Sequence, residues 1–196
     1  MVRFVALGDS YTIGTSVDEA ERWPNQLAAR ITALDLVANL AVNGFTSREL
    51  IERELPVLEG HAPEFVSVLI GVNDVVQRVP DATYATNVAV ILDRLLELVP
   101  PDRILCAATP DYTRTPRGAD YGDPERQSDG IVRVNAILRE ACERRAIACV
   151  ADIFEISLQA SDDAALVASD GLHPSGEQYR RWAEVLEPVA RELLGD

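Results

Sequence analysis

The sequence predicts an α/β protein in which parallel strands form a central sheet and helices cover both of its faces. Five short runs are apolar on both faces, as expected of buried parallel strands. They alternate with segments in which apolar residues recur every three or four positions. The predicted strands are residues 2–7, 36–41, 65–70, 103–108 and 146–150. This alternation is typical of an α/β sandwich with three layers and right-handed crossovers.

Apolar stripes predict the helices between these strands. The stripes cover residues 27–34, 50–55, 84–98, 131–141 and 179–189. Pro24 is tolerated in the first turn of the first helix, and Thr46 with Glu49 has the spacing of a capping box. Pro188 falls inside the last stripe, so we expect a kink or a break there. Residues 109–130 form the one long segment without a pattern, which predicts a loop that is either functional or disordered.

Length and composition indicate a single globular domain over residues 1–196. The chain is 47% hydrophobic and 26% charged, no linker divides it, and it is long enough to bury a substantial core. Its three cysteines are too few for a disulfide framework and favour a reducing compartment. No apolar stretch approaches the ~20 residues of a membrane span. The N-terminus enters the first strand directly, so we expect no signal peptide, no stable membrane anchoring and a cytoplasmic location.

The charge balance excludes several classes of function. The formal net charge of −14 has the wrong sign for a protein that binds nucleic acid or an anionic membrane surface. All 18 basic residues are arginines, so mechanisms that need a P-loop lysine or a Schiff-base lysine are absent. No glycine-rich dinucleotide motif follows any predicted strand. We therefore expect a small-molecule substrate, no cofactor and no metal.

Polar residues follow the predicted strands at their carboxyl ends, where ligands bind in open α/β sheets. Each group also has a structural interpretation as a turn or a helix cap. The groups are Gly8-Asp9-Ser10-Tyr11, Asn43-Gly44-Phe45-Thr46, Gly71-Val72-Asn73-Asp74 and, before the last helix, Asp170-Gly171-Leu172-His173-Pro174. Together they contain the residue types that acyl transfer requires.

The chemistry of acyl transfer gives these residues roles. The Ser10 hydroxyl is a weak nucleophile until a neighbouring base removes its proton. His173 is the candidate base because the other histidine, His61, lies in a turn at the opposite edge of the sheet. Asp170, three residues before His173, is placed to fix the imidazole tautomer and stabilise the imidazolium.

An acyl-transfer site also needs hydrogen-bond donors for the developing oxyanion. Gly44 lets its backbone N–H approach the substrate closely, and the Asn73 side-chain amide supplies a second donor. The backbone N–H of Ser10 is a third candidate.

These four groups resemble the motifs of the GDSL esterases and lipases, also called SGNH hydrolases. The resemblance rests on Gly8-Asp9-Ser10, on Asn39 with Gly44 and Thr46, on Gly71-Val72-Asn73-Asp74 and on Asp170-Gly171-Leu172-His173-Pro174, in the family's order. It implies a flavodoxin-like, three-layer fold with a five-stranded parallel sheet in the order 2-1-3-4-5. It also implies that Ser10, Asp170 and His173 form a triad, with Gly44 and Asn73 in the oxyanion hole.

The substrate is left open by these motifs. Asp9, Tyr11, Phe45, Asp74 and Tyr112 are candidates for supporting the site or contacting substrate. The 109–130 loop carries polar and aromatic residues and almost no large aliphatic ones, which favours a short acyl ester over a long one.

Two alternative functions belong to other classes. In a metal-dependent phosphoesterase, Asp9, Asn73, Asp74, Asp170 and His173 would hold divalent ions, although such sites usually contain several histidines. In a non-catalytic flavodoxin-like module, the same edge of the sheet would only bind a ligand. Chelator sensitivity and covalent labelling of Ser10 distinguish the three.

Overall fold

A five-stranded parallel sheet with the order β2-β1-β3-β4-β5 lies at the centre of the molecule. The structure is a computed structural model and describes residues 1–150 and 152–195. The strands are β1 (Val2–Gly8), β2 (Leu34–Asn39), β3 (Phe65–Leu69), β4 (Ile104–Ala107) and β5 (Ala148–Val150). The predicted fold class and strand order are therefore confirmed.

Nine α-helical segments are described around this sheet. They are α1 (Ser10–Ile13), α2 (Trp23–Arg30), α3 (Ser47–Glu49), α4 (Leu55–Leu58), α5 (Val72–Val76), α6 (Asp81–Leu96), α7 (Pro124–Glu143), α8 (Asp152–Leu158) and α9 (Gly176–Leu194). A π-helical turn, Leu50–Glu54, joins α3 to α4. Among the described residues, no helix is long and apolar enough to cross a membrane.

Two apolar clusters cover the two faces of the sheet. Alternate residues of β1 point to opposite faces, so Phe4 and Ala6 belong to one cluster, whereas Val5 and Leu7 belong to the other. The first cluster contains the buried side chains of α2, α8 and α9. The second contains those of α6 and most of the apolar ones of α7, whose Ile131 belongs to the first cluster. Because both faces of the sheet are buried, its strands are apolar throughout. The strands could therefore be predicted from continuous apolar runs in the sequence.

The boundary between α2 and β2 differs from the prediction. The apolar stripe was predicted to continue helically to Leu34, but α2 ends at Arg30 and Leu34 begins β2 opposite Val2. Pairing along the edge of β1 therefore overrides the helical spacing. The strand spans residues 34–39 and not 36–41, which leaves residues 40–42 in the loop that follows.

The unpatterned segment is shorter than predicted because α7 begins at Pro124. Asp123 caps this helix by accepting a hydrogen bond from the Arg126 N–H at 2.8 Å, and proline suits the first helical turn. Gly130 lies buried inside α7 and not at the end of a loop. An N-cap aspartate followed by proline is typical of a helix N-terminus, and the prediction of a helix over 131–141 did not use this pair.

The last helix continues through Pro188. Of the kink or break expected at Pro188, the break is wrong, because α9 spans Gly176–Leu194 without interruption. Trp182 and Leu186 before the proline and Ala190 after it are all fully buried in the first apolar cluster. Packing on both sides of Pro188 therefore outweighs the loss of one backbone hydrogen bond.

Candidate active site

Ser10 lies at the carboxyl end of β1, where a sharp turn leads into α1. A Cβ atom at Gly8 would lie 2.2 Å from the Leu69 carbonyl oxygen, so only glycine fits where β1 leaves the sheet beside β3. Asp9 caps α1 by accepting a hydrogen bond from the Tyr11 N–H at 3.0 Å. Ser10 is the first residue of α1 and is only 5% exposed. The turn thus fixes the backbone on both sides of the Ser10 hydroxyl.

Two buried carboxyl groups support this turn. Glu54, at the end of the π-helical turn, accepts a hydrogen bond from the Gly8 N–H at 2.9 Å. Burial raises the pKa of Asp9 to about 8 and the pKa of Glu54 to about 9. A smaller contribution to the raised pKa of Asp9 comes from the charge of Asp74, and to that of Glu54 from the charge of Asp9. Both carboxyls are therefore mainly protonated at neutral pH. The sequence pointed to Asp9 but not to Glu54, because the π-helical turn that brings Glu54 inward has no sequence signature.

Asn73 connects the end of β3 to the loop after β2. Its Nδ2 atom donates a hydrogen bond to the Phe45 carbonyl oxygen at 2.9 Å, which leaves the second amide hydrogen available. Gly44, in the same loop, has a φ of 86°, a conformation that favours glycine. No described residue accepts a hydrogen bond from the Ser10 N–H or the Gly44 N–H. Three donors are thus unpaired at this edge of the sheet.

Asp74 holds the helix that follows this loop. Its carboxylate accepts hydrogen bonds from the Ser47 N–H at 2.9 Å and the Ser47 hydroxyl at 2.5 Å. Asn87 on α6 donates to the same hydroxyl at 2.9 Å. Burial raises the pKa of Asp74 even though the Ser47 hydrogen bonds favour its ionised form. Asp74 therefore supports the loop that carries Gly44.

Asp170 and His173 lie in a tight loop before α9. An antiparallel bridge between Val167 and Pro174 closes the loop, and the Ala168 N–H donates to the His173 carbonyl at 2.8 Å. His173 Nδ1 lies 2.6 Å from Asp170 Oδ2, while Asp170 Oδ1 accepts the His173 N–H at 3.0 Å. The pairing leaves Nε2 as the imidazole nitrogen that can accept a proton.

Ser16 is a further partner of Asp170 that sequence reasoning missed. Its hydroxyl donates to Asp170 Oδ2 at 2.6 Å, so this oxygen faces both Ser16 and the imidazole. Burial opposes ionisation of Asp170, but the hydrogen bonds from Ser16, His173 and the Leu172 N–H outweigh it. The net effect holds the pKa of Asp170 well below its usual value. Asp170 therefore stays ionised beside His173.

A cavity of about 160 Å³ joins these elements. Ser10, Asn73 and His173 line it together with the apolar or aromatic residues Tyr11, Val72, Val76, Tyr112, Tyr121 and Leu172, and with Asn43. The Tyr112 and Tyr121 rings meet edge to face with centroids 5.8 Å apart. The structure records no hydrogen bond between Ser10 Oγ and His173, and such contacts are often long in enzymes without substrate.

The segment before α7 is held over the cavity by a buried carboxylate. Asp111 is 1% exposed, accepts hydrogen bonds from the Thr113 N–H and the Ser128 hydroxyl, and donates its own N–H to Ser157 on α8. This arrangement positions Tyr112 toward the cavity. Burial raises the pKa of Tyr112 to about 12, so its hydroxyl is neutral.

The predicted site residues therefore fall into two groups. Ser10, Tyr11, Asn73, Tyr112 and His173 line one cavity, and Gly44 and Asp170 flank it through Asn43 and His173. Asp9, Asp74 and Phe45 do not line this cavity. Each accepts a hydrogen bond from a residue at or near the site: Asp9 from the Tyr11 N–H, Asp74 from the Ser47 N–H and the Phe45 carbonyl from the Asn73 amide. His61 lies in a turn before β3, at the amino end of the sheet.

The fold is a three-layer α/β sandwich, and one edge of its sheet carries a serine, a histidine–aspartate pair and unpaired amide donors. The model of the GDSL-like lipase/acylhydrolase family matches residues 6–181. The chain therefore belongs to the GDSL-like lipase/acylhydrolase family, and it is an ester hydrolase by membership.

Solved structures show the same fold. The lipase/acylhydrolase from Enterococcus faecalis is 19% identical, with a TM-score of 0.77 and coverage of 100% of this chain and 96% of its own. A lipolytic protein of the G-D-S-L family from Veillonella parvula is 14% identical, with a TM-score of 0.76 and coverage of 100% and 99%. The acetyl xylan esterase Axe2 (W215I) from Geobacillus stearothermophilus is 20% identical, with a TM-score of 0.70 and coverage of 99% and 94%. No curated protein matched the sequence.

Proposed function

We propose that the protein is a serine esterase that cleaves short acyl esters or thioesters through a covalent acyl-enzyme. Ser10 is the nucleophile, His173 the general base and Asp170 the group that orients and stabilises the imidazole. The observation that carries the proposal is the 2.6 Å contact between His173 and an ionised Asp170, beside a cavity that Ser10 also lines.

The reaction has two halves. His173 Nε2 takes the Ser10 proton as Oγ attacks the ester carbonyl, and it then gives that proton to the departing alcohol. This leaves the acyl group on Ser10 Oγ. In the second half, His173 takes a proton from water, the resulting hydroxide attacks the acyl carbonyl, and the proton returns to Ser10 as the carboxylic acid leaves. Asp170 stays ionised throughout and stabilises the imidazolium.

The carbonyl oxygen becomes negative at each tetrahedral stage. The Ser10 N–H, the Gly44 N–H and the free hydrogen of the Asn73 amide are the donors for this oxyanion. Support for these roles comes from the lack of any described acceptor for the two backbone groups and from the Phe45 contact that orients Asn73.

The cavity argues for a small acyl group. Its volume of about 160 Å³ is roughly half the ~300 Å³ at which pockets for drug-sized ligands begin. Tyr112 and Tyr121 contribute aromatic surface to its lining. A similar fold belongs to an acetyl xylan esterase, whose acyl group is also short.

Kinetics with an acyl series test this function. Acetyl and butyryl esters of one alcohol should be hydrolysed with higher kcat/KM than decanoyl or palmitoyl esters, and Ser10→Ala should lower kcat by roughly 10⁴-fold or more. Activity that rises steadily to palmitoyl would contradict the acyl assignment. Activity that survives in Ser10→Ala but is lost with a strong chelator would favour the metal-dependent phosphoesterase, and no turnover with any ester would favour a binding module.

A further inference from the structure

A second, polar cavity lies on the other side of α5 from the catalytic cavity. It has a volume of about 180 Å³ and is bounded by the end of α5, the start of α6 and the first turns of α7. Arg78, Arg126 and Arg133 line it, and Asp81 is the one acidic residue among the described residues that do so. The lining of this cavity therefore carries a net positive charge, although the chain as a whole has a net charge of −14.

The positive charge in this cavity is not neutralised. Arg133 contacts Asp81 at 3.1 Å, so these two charges offset each other. Within residues 1–150 and 152–195, no ion pair or hydrogen bond involves the guanidinium of Arg78 or Arg126. Glu125, the neighbour of Arg126, lines a separate cavity with Arg114. Two guanidinium groups are therefore available to an anion.

Local structure does not account for the two arginines together. Arg78 follows α5 with a φ of 59°, a left-handed conformation that glycine adopts at lower cost. Arg126 lies in the first turn of α7, where the helix dipole favours acidic residues and disfavours cations. A cation after α5 does suit the carbonyl end of that helix, but this explains Arg78 alone. Both positions are explained by an anion bound between them.

The arginine-lined cavity adjoins the catalytic one. Val75 of α5 lines the former, and the next residue, Val76, lines the latter. Arg126 also approaches the catalytic cavity through Gly122, the residue that follows Tyr121 in the chain. Its Nη2 atom lies 3.3 Å from the position that a Cβ atom on Gly122 would occupy, and Tyr121 lines the catalytic cavity. The two cavities thus lie next to each other along α5, and a ligand that occupied both would hold its ester at Ser10 and its anionic group at the arginines.

We propose that Arg78 and Arg126 bind an anionic group, a phosphate or a carboxylate, on the ester whose carbonyl lies at Ser10. The planar guanidinium suits both groups because it donates two parallel hydrogen bonds. The cavity is about six times the ~30 Å³ that one water occupies in the liquid, which leaves room for a phosphate. This inference rests on the proposed esterase function and adds a substrate class to it.

The test uses acetyl esters of ω-hydroxyalkyl phosphates with two to six carbons, each compared with the same ester lacking the phosphate. At low ionic strength the wild type should prefer one phosphate ester by tenfold or more in kcat/KM, through KM, and added salt should reduce the preference. The double variant Arg78→Gly/Arg126→Gln should abolish the preference and leave the neutral ester within twofold. Glycine suits the left-handed backbone at position 78, so this variant is expected to fold.

Arg139→Gln is the matched control, because Arg139 is an exposed arginine of α7 that does not line the cavity. Equal turnover of charged and neutral esters, or an equal loss in Arg139→Gln, would overturn the proposal. Inhibition by inorganic phosphate that depends on Arg78 and Arg126, without preference for any phosphate ester, would assign the cavity to a free anion and overturn the substrate class.

Failure of the esterase function itself would appear separately, as no Ser10-dependent hydrolysis of the neutral esters. In that case, calorimetric titration of inorganic phosphate into the wild type and the double variant still tests the arginines. Binding by the wild type alone would support the anion site, and no binding by either would contradict it.

Discussion

Replacing Asn73 with alanine distinguishes a catalytic role of its side chain, measured by kcat, from a structural role, measured by the free energy of unfolding. The amide donates one hydrogen to the Phe45 carbonyl at 2.9 Å and presents the other at the catalytic cavity. Loss of the first hydrogen bond costs on the order of 1 kcal/mol of unfolding free energy. Loss of an oxyanion donor lowers kcat by roughly 10² to 10³, or about 2.7–4 kcal/mol. Because Gly71 and not Asn73 is the N-cap of α5, no capping contribution adds to the stability term.

The assay measures kcat, KM and thermal unfolding of Asn73→Ala with one short acyl ester. We expect kcat to fall by 10² to 10³ with KM nearly unchanged, because the donor acts on charge that develops only in the transition state. Asn87→Ala is the matched control: its amide donates to Ser47 and supports the same loop, but it does not line the cavity. It should lose about as much stability and keep kcat within about threefold. Equal kcat losses in the two variants would refute the oxyanion role.

Two other substitutions have distinct expected results. Ser16→Ala should lower kcat about three- to tenfold with KM and melting temperature nearly unchanged, because an exposed hydroxyl that orients Asp170 is removed. An unchanged kcat in Ser16→Ala would contradict this role. Burial raises the pKa of Asp9 to about 8 and of Glu54 to about 9, so the folded protein keeps protons that the unfolded chain releases above about pH 4. Stability should thus fall as the pH rises from about 4 to 9, and Glu54→Gln should make the melting temperature less dependent on pH; an unchanged dependence would show that Glu54 is ionised in the folded state.

The fold was predictable because both faces of the sheet are buried. Runs such as residues 65–70 are apolar without interruption, and the polar groups that follow them fall at one edge of a parallel sheet. The same reasoning identified Ser10, Asn73 and His173, which the structure brings to one cavity. These residues follow directly from the ends of strands or the start of a helix, so local sequence was sufficient.

Contacts between distant segments were not predictable. Ser16 and Asp170 are separated by 154 positions, and nothing near Ser16 marks it as a partner. Glu54 faces inward only because a π-helical turn shifts it, although the capping box at Thr46 predicted an ordinary helix. The arginine-lined cavity combines side chains from α7 and from the end of α5, which are brought together only by tertiary packing.

The wrong predictions at Leu34 and Pro188 have a common cause. At Leu34, pairing with β1 replaced a helical stripe, and at Pro188, packing on both sides kept the helix continuous. In each case a tertiary contact outweighed a local preference of about 1–3 kcal/mol. Spacing alone does not contain those contacts.

Covalent labelling by a fluorophosphonate, followed by mass spectrometry of the intact chain and its peptides, is the most direct test of the nucleophile. The proposed mechanism predicts one adduct per chain, located on Ser10, absent from Ser10→Ala and formed at least 10²-fold more slowly in His173→Ala. Labelling of Ser10→Ala to the same extent as the wild type, or no adduct on a folded, esterase-active wild type, would contradict the assignment of Ser10 as the nucleophile.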